Sequence, residues 1–135
     1  MNKIVLAAAA ISLSGCQLGD KMPITLPVDA QLHNGSVCVQ VRPIEDEKLG
    51  SIIIYQDDDP QHARTEIFAP RRTVERDKCM PDLNYRFVPG KAYTFDVHLV
   101  SPEKERAHSR SAVRTFSANF RLTESSEGLQ VENLP

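Results

Sequence analysis

Three consecutive carboxylates, Asp57, Asp58 and Asp59, form the densest set of hard ligands in the 135-residue chain. Calcium takes several carboxylate oxygens, but an acidic turn closed by Pro60 reads as solvated acid ending a strand, and no metal is expected there. The four histidines, His33, His62, His98 and His108, show no helical i, i+4 pairing. A nucleophile elbow, a phosphate-cradling glycine loop and a His-Glu-x-x-His zinc motif are all missing from the sequence. No catalytic residue and no cofactor are therefore expected, and the chain does not read as an enzyme. The remaining reactive side chains are Cys16, Cys38 and Cys79. Each is a disulfide end, a reactive thiol or a processing site, depending on the compartment.

Cys16 is the informative one. Lys3 supplies a positive start and Ile4 to Ile11 an apolar stretch, too short for the roughly 20 apolar residues that cross a bilayer as a helix. This is the pattern of an export signal. Its end, "LSGC" from Leu13 to Cys16, resembles a bacterial lipobox, which implies alkylation of the thiol with diacylglycerol and cleavage just before the cysteine. A second acyl chain converts marginal binding into stable anchoring. Gln17, rather than aspartate, follows the cysteine, which resembles the signal for sorting to the outer membrane with the domain facing the periplasm. Residues 1–15 are then signal peptide. Residues 16–27, with two prolines and no sustained period, are a lipidated tether of roughly 35 Å if extended.

The exported chain is one domain's worth, enough to bury its own core. Its formal charge is −2 with Lys3 and near −3 without it. Nucleic-acid binding wants a strongly basic face, so that class is set aside. With Cys16 lipidated, Cys38 and Cys79 remain as an even pair in an oxidising compartment and are expected to bridge. On its run Cys38 faces opposite to Val37, Val39 and Val41, so the bridge is expected on the outer side of one sheet, between neighbouring strands.

These residues are positioned by short strands separated by turn residues. Asn34-Gly35, between "VDAQLH" and "SVCVQV", is a hairpin signal because both turn positions want positive φ. "SIIIYQ" (Ser51 to Gln56) is a β-branched run suited to a central strand, ended by the acidic turn. "TEIF" and "RTVE" are read as two weaker strands, one at an edge, and "DKCM" as the start of another. In "FVPGKAYTFDVHLV", Tyr93, Phe95, Val97 and Leu99 alternate with Thr94, Asp96 and His98, the period of a half-buried strand. Pro89-Gly90 turns the chain just before it, and Tyr93 resembles the tyrosine corner of immunoglobulin-like sandwiches. Phe116, Ala118, Phe120 and Leu122 share one face of the last expected strand. The fold expected is all-β, an immunoglobulin-like (fibronectin type III-like) sandwich of about seven strands over residues 28–122, with an acidic C-terminal tail, 123–135.

Between the last two expected strands lies a charged, mostly basic connection, Ser101 to Arg114. A charge run is usually solvated loop, yet long loops on a rigid sandwich carry recognition. Lys104, Arg106, Arg110 and Arg114 are the candidate anchors, with Asp57, Asp58 and Asp59 expected beside them to form one bipolar surface.

The tether "GCQLGDK", the hairpin "NGSVCV", the run "SIIIYQ" and "CMPDLNYRFVPGKAYTF" together resemble a family of small enterobacterial lipoproteins described as type VI secretion immunity periplasmic lipoproteins. The resemblance rests on Cys16, Gly19, Asp20, Cys38, Cys79, Pro81, Pro89, Gly90 and Lys91, and it fades after about Phe95. It implies a protein that binds a toxic effector delivered into the periplasm and occludes its active site with a loop or an edge strand. The rival expectation is a structural or accessory envelope lipoprotein without a toxin partner.

Overall fold

A computed structural model of the chain describes residues 24–135. The signal peptide, Cys16 and most of the expected tether lie outside the described residues. Eight strands and one short helix follow in order: β1 Ile24–Pro27, β2 Ala30–His33, β3 Ser36–Val39, β4 Lys48–Gln56, β5 Asp59–Arg72, β6 Ala92–Val100, α1 Pro102–Arg106, β7 Val113–Ser125 and β8 Gly128–Asn133. The architecture is all-β and immunoglobulin-like, two sheets packed over one core.

The larger sheet has strand order β1-β7-β6-β4-β5, with β8 also paired to β7. β1 runs parallel to the first half of β7, from Ile24 opposite Arg114 to Pro27 opposite Ser117. β8 runs antiparallel along the second half, Ser125 to Phe120. β5 closes the other side of the sheet. The second sheet is the hairpin β2-β3, whose turn residues Asn34 and Gly35 take φ of 52° and 76°, as their types predict.

Strand alternation selects the core. On β6, Tyr93, Phe95, Val97 and Leu99 are completely buried, and on β7 Phe116, Ala118, Phe120 and Leu122 meet them from the neighbouring strand. β4 adds Leu49, Ile52 and Ile54, its phase shifted by a bulge at Gly50. This layer packs on Val37 and Val39 of β3, on Val41, and on the irregular segment 73–88 through Val74, Met80, Tyr85 and Phe87.

Tyr93 does what its corner position suggested. Its hydroxyl accepts from the Val88 amide at 2.6 Å and donates to the Val88 carbonyl at 3.2 Å. Its ring meets Tyr85, Phe87 and Phe120 with centroids 5.0–5.8 Å apart. The 73–88 segment, which has no strand ladder of its own, is thereby fixed at one end. Cys38–Cys79 fixes its middle, with Cα atoms 5.0 Å apart. Beside the bridge, the Met80 amide donates to the Val39 carbonyl at 2.8 Å.

Several boundaries differ from the sequence reading. "TEIF" and "RTVE" are not two strands: one 14-residue strand, β5, runs to Arg72, and Val74 lies beyond it. Cys79 stands in an irregular segment rather than on a strand, so the bridge does not join two strands, and Cys38, expected on an outer side, is buried at 1 % exposure. Residues 24–27 of the expected tether form β1, because β7 offers them an open edge. The expected tail, 123–135, completes β7 and forms β8, and the Leu134 amide still donates to the Asn119 carbonyl at 2.8 Å. The domain therefore exceeds 28–122 at both ends.

Candidate functional site

The candidate surface is built where β6 ends. Ser101, completely buried, caps α1: its Oγ accepts from the Lys104 amide at 3.2 Å, and Pro102 fills the first turn, where no amide partner is needed. The same hydroxyl donates to Asp46 Oδ1 at 2.5 Å, and the Glu103 amide donates to Asp46 Oδ2 at 2.8 Å. These two donors hold the Asp46 carboxyl below the usual carboxylate range. Ser101 N also donates to Ala112 O at 2.8 Å, which closes the base of the connection.

Two further contacts brace the loop from outside. Arg71 of β5 grips Glu105 through two parallel bonds of 2.8 and 3.2 Å. Those bonds keep the Glu105 carboxyl below its ordinary range. Lys104 Nζ approaches Glu45 Oε2 at 3.4 Å. The connection is thus held by β5 on one side and by the 44–47 turn on the other.

Arg114 belongs to β7, and its guanidinium is turned onto Glu47, whose side chain is only 1 % exposed. Nε and Nη2 donate to the two carboxylate oxygens at 2.7 and 2.5 Å, and Nη2 also donates to the Arg42 carbonyl at 3.1 Å. Burial pushes the Glu47 carboxyl up, but Arg114 and the Ile44 amide outweigh it, and the net shift is downward. The same pairing raises Arg114. Arg114 is a strut, which corrects its expected role as a partner anchor. Lys104 is half engaged by Glu45. Arg106 and Arg110 remain exposed on the braced loop.

The acidic turn is elsewhere. Gln56 pairs with Tyr93 at the start of β6, whereas Lys48 pairs with Val100 at its end. Asp57 and Ser101 therefore leave opposite ends of a nine-residue strand pair, about 30 Å apart at the usual rise. The single bipolar surface does not form. Each carboxylate at the turn holds a different partner: Asp57 accepts from Thr94 Oγ1 at 2.7 Å, Asp58 pairs with Lys91 at 3.2 Å and with Gln56, and Asp59 meets His62 at 2.7 Å. The Gln56 amide first, then Lys91, keep the Asp58 carboxyl below its ordinary range. Asp59 already belongs to β5. Among the described residues no three His, Cys, Asp or Glu side chains converge as a metal site would require.

On the other face of the large sheet, Ser51 Oγ lies 3.0 Å from His98 Nδ1. The two residues stand opposite each other across β4 and β6, in a shallow groove of about 320 Å³ that also includes Gly50, Ile67, Arg71 and Val100. Ser51 follows directly on the bulge at Gly50, and the hydrogen bond to His98 joins two neighbouring strands of the sheet. Sequence reasoning missed this pair, and also Asp46 and Glu47. The sequence did hold one clue to the first latch: Ser-Pro-Glu at 101–103 is a helix-start signature.

No curated protein and no solved structure matches the chain. A family model described as a domain of unknown function, DUF7480, matches residues 26–125, from the end of β1 to the end of β7. That span contains the disulfide, the tyrosine corner and the braced loop, so the chain belongs to the DUF7480 family.

Proposed function

We propose that this chain is a lipoprotein anchored through Cys16 to the outer membrane on its periplasmic face, and that it binds and neutralises a type VI secretion effector. The observation that carries the reading is the α1 connection. It is an exposed basic segment held from three directions, by Asp46 through Ser101 and Glu103, by Arg71 through Glu105 and by Glu45 through Lys104. Recognition concentrates in a few anchors on surfaces that do not have to be ordered on binding. Arg106 and Arg110 are such anchors, suited to an acidic patch on the partner. An all-β domain with a disulfide also suits an oxidising compartment. The mechanism is occlusion, and no chemistry by this chain is needed. Asp57, Asp58 and Asp59, at the far end, are left out of the surface.

Co-expression tests the proposal. Periplasm-directed effectors encoded beside this chain should be tolerated when the full chain is present and toxic when it is absent. Protection against none of them favours the accessory-lipoprotein reading. The anchor is tested separately: Cys16→Ala should abolish acylation and release or stall the protein. Wild-type fractionation of that variant with the outer membrane would contradict the anchor.

A further inference from the structure

β5 is the long open edge of the large sheet: among the described residues its only strand neighbour is β4. Pro60 to Ile67 are exposed on both faces of the strand, and Ile67 is 77 % exposed. An edge of this kind presents unpaired amide groups and is a template for another strand.

The hydrogen-bond phase can be worked out from the ladder. The Asp57 amide donates to the Ala92 carbonyl at 2.9 Å, one step beyond the Gln56–Tyr93 pair. Bonded and non-bonded pairs alternate in an antiparallel ladder, so Ile53 and Tyr55 bond to β6 while Ile52 and Ile54 bond to β5. Their partners there are Glu66 and Arg64. Within the regular part of that ladder, Arg64 to Ile67, Thr65 and Ile67 therefore direct their amide groups outward.

We propose that β5 pairs with β5 of a second copy, antiparallel about a two-fold axis at Thr65. Three features select this register. Thr65 meets its own copy as a hydrogen-bonded pair, and Ala63 meets Ile67, which covers the exposed isoleucine. Arg64 meets Glu66 twice by symmetry, as a non-bonded pair with side chains close together. Shifting the axis by one residue either way sets Arg64 against Arg64 or Glu66 against Glu66. The ladder of β5 shifts register beyond Arg64 on one side and beyond Ile67 on the other, which confines regular pairing to the short run around Thr65. One guanidinium nitrogen of Arg64, Nη1, is bound to the Leu83 and Asn84 carbonyls at 3.0 Å, which leaves Nε and Nη2 as the donors for Glu66 of the copy. A C2 contact of this kind is self-complementary by construction, and it leaves the α1 connection open.

Cysteine cross-linking of the full chain in cells decides it. A hydrogen-bonded pair places Cα atoms about 5.5 Å apart, within disulfide range. Thr65→Cys should give a covalent dimer on a non-reducing gel, at least tenfold more than Arg64→Cys or Glu66→Cys alone. Mixing Ala63→Cys with Ile67→Cys should cross-link where neither does by itself. Adding Glu66→Arg to Thr65→Cys should reduce the dimer at least tenfold while the thermal midpoint stays that of Thr65→Cys. Equal cross-linking at 64, 65 and 66, or none at 65 in a folded variant, overturns the proposal.

Discussion

Removing the Arg114 guanidinium should destabilise the domain far more than removing a surface charge. Glu47 is 1 % exposed and Arg114 15 % exposed at the side chain. Arg114→Ala would leave that carboxylate with the Ile44 amide, at 2.8 Å, as its remaining hydrogen-bond partner. It would also remove the guanidinium stacked 4.8 Å above the Phe116 ring. Breaking a buried pair by deleting one partner costs about 3–5 kcal/mol, because a desolvated charge stays behind. An exposed pair is worth about 0–1 kcal/mol. Against a total of about 5–15 kcal/mol for a domain, the midpoint of thermal unfolding should drop by about 12 °C or more. Circular-dichroism melts of Arg114→Ala and of Glu47→Gln/Arg114→Met measure this. The double variant should recover most of the loss, since it removes both charges. The pH dependence has a fixed sign. The folded-state Glu47 carboxyl lies below its ordinary value, so its contribution is complete above about pH 4.3 and fades as pH falls through the folded value. An Arg114→Ala variant within about 1 kcal/mol of wild type, the exposed-pair range, would refute the reasoning and return Arg114 to the surface.

Tyr93→Phe keeps the buried ring but strips both hydrogen bonds from Val88, and it should cost about 1–3 kcal/mol in chemical denaturation; no loss would mean that the corner holds nothing. Replacing Cys38 and Cys79 together by alanine frees a loop with a sequence separation of 41. The expected loss is about 4 kcal/mol in the chain-entropy model, and protease cleavage should appear first within 73–88; an unchanged melt would count against the bridge as the anchor of that segment.

How much was legible in the sequence depended on whether local pattern or strand order decided the outcome. β6 announced itself because Tyr93, Phe95, Val97 and Leu99 alternate over a half-buried surface, and the Asn34-Gly35 turn needs no tertiary context. β5 carried no such signal: from Pro60 to Ile67 both faces meet water, so period two has nothing to sort. β1 and β8 are strands because β7 is long enough to pair with one along each half, which neither short segment records in its own composition. The α1 latch was half visible, in the helix-start residues at 101–103, but five residues are too few for a helical period. The Glu47–Arg114 strut joins residues 67 apart in sequence, and no local signal marks it. The opposite placement of the acidic turn and the basic loop follows from the antiparallel pairing of β4 with β6, which composition does not encode.

The central claim, that the α1 connection recognises a partner, is tested most directly by calorimetric titration of the full chain with an effector it protects against. Arg106→Glu/Arg110→Glu should weaken binding by about 30-fold or more, as the loss of two interface anchors of about 1–2 kcal/mol each implies. Asp57→Asn/Asp58→Asn should bind as wild type. Undiminished binding by the charge-reversed variant, with its melting temperature unchanged, would contradict the account.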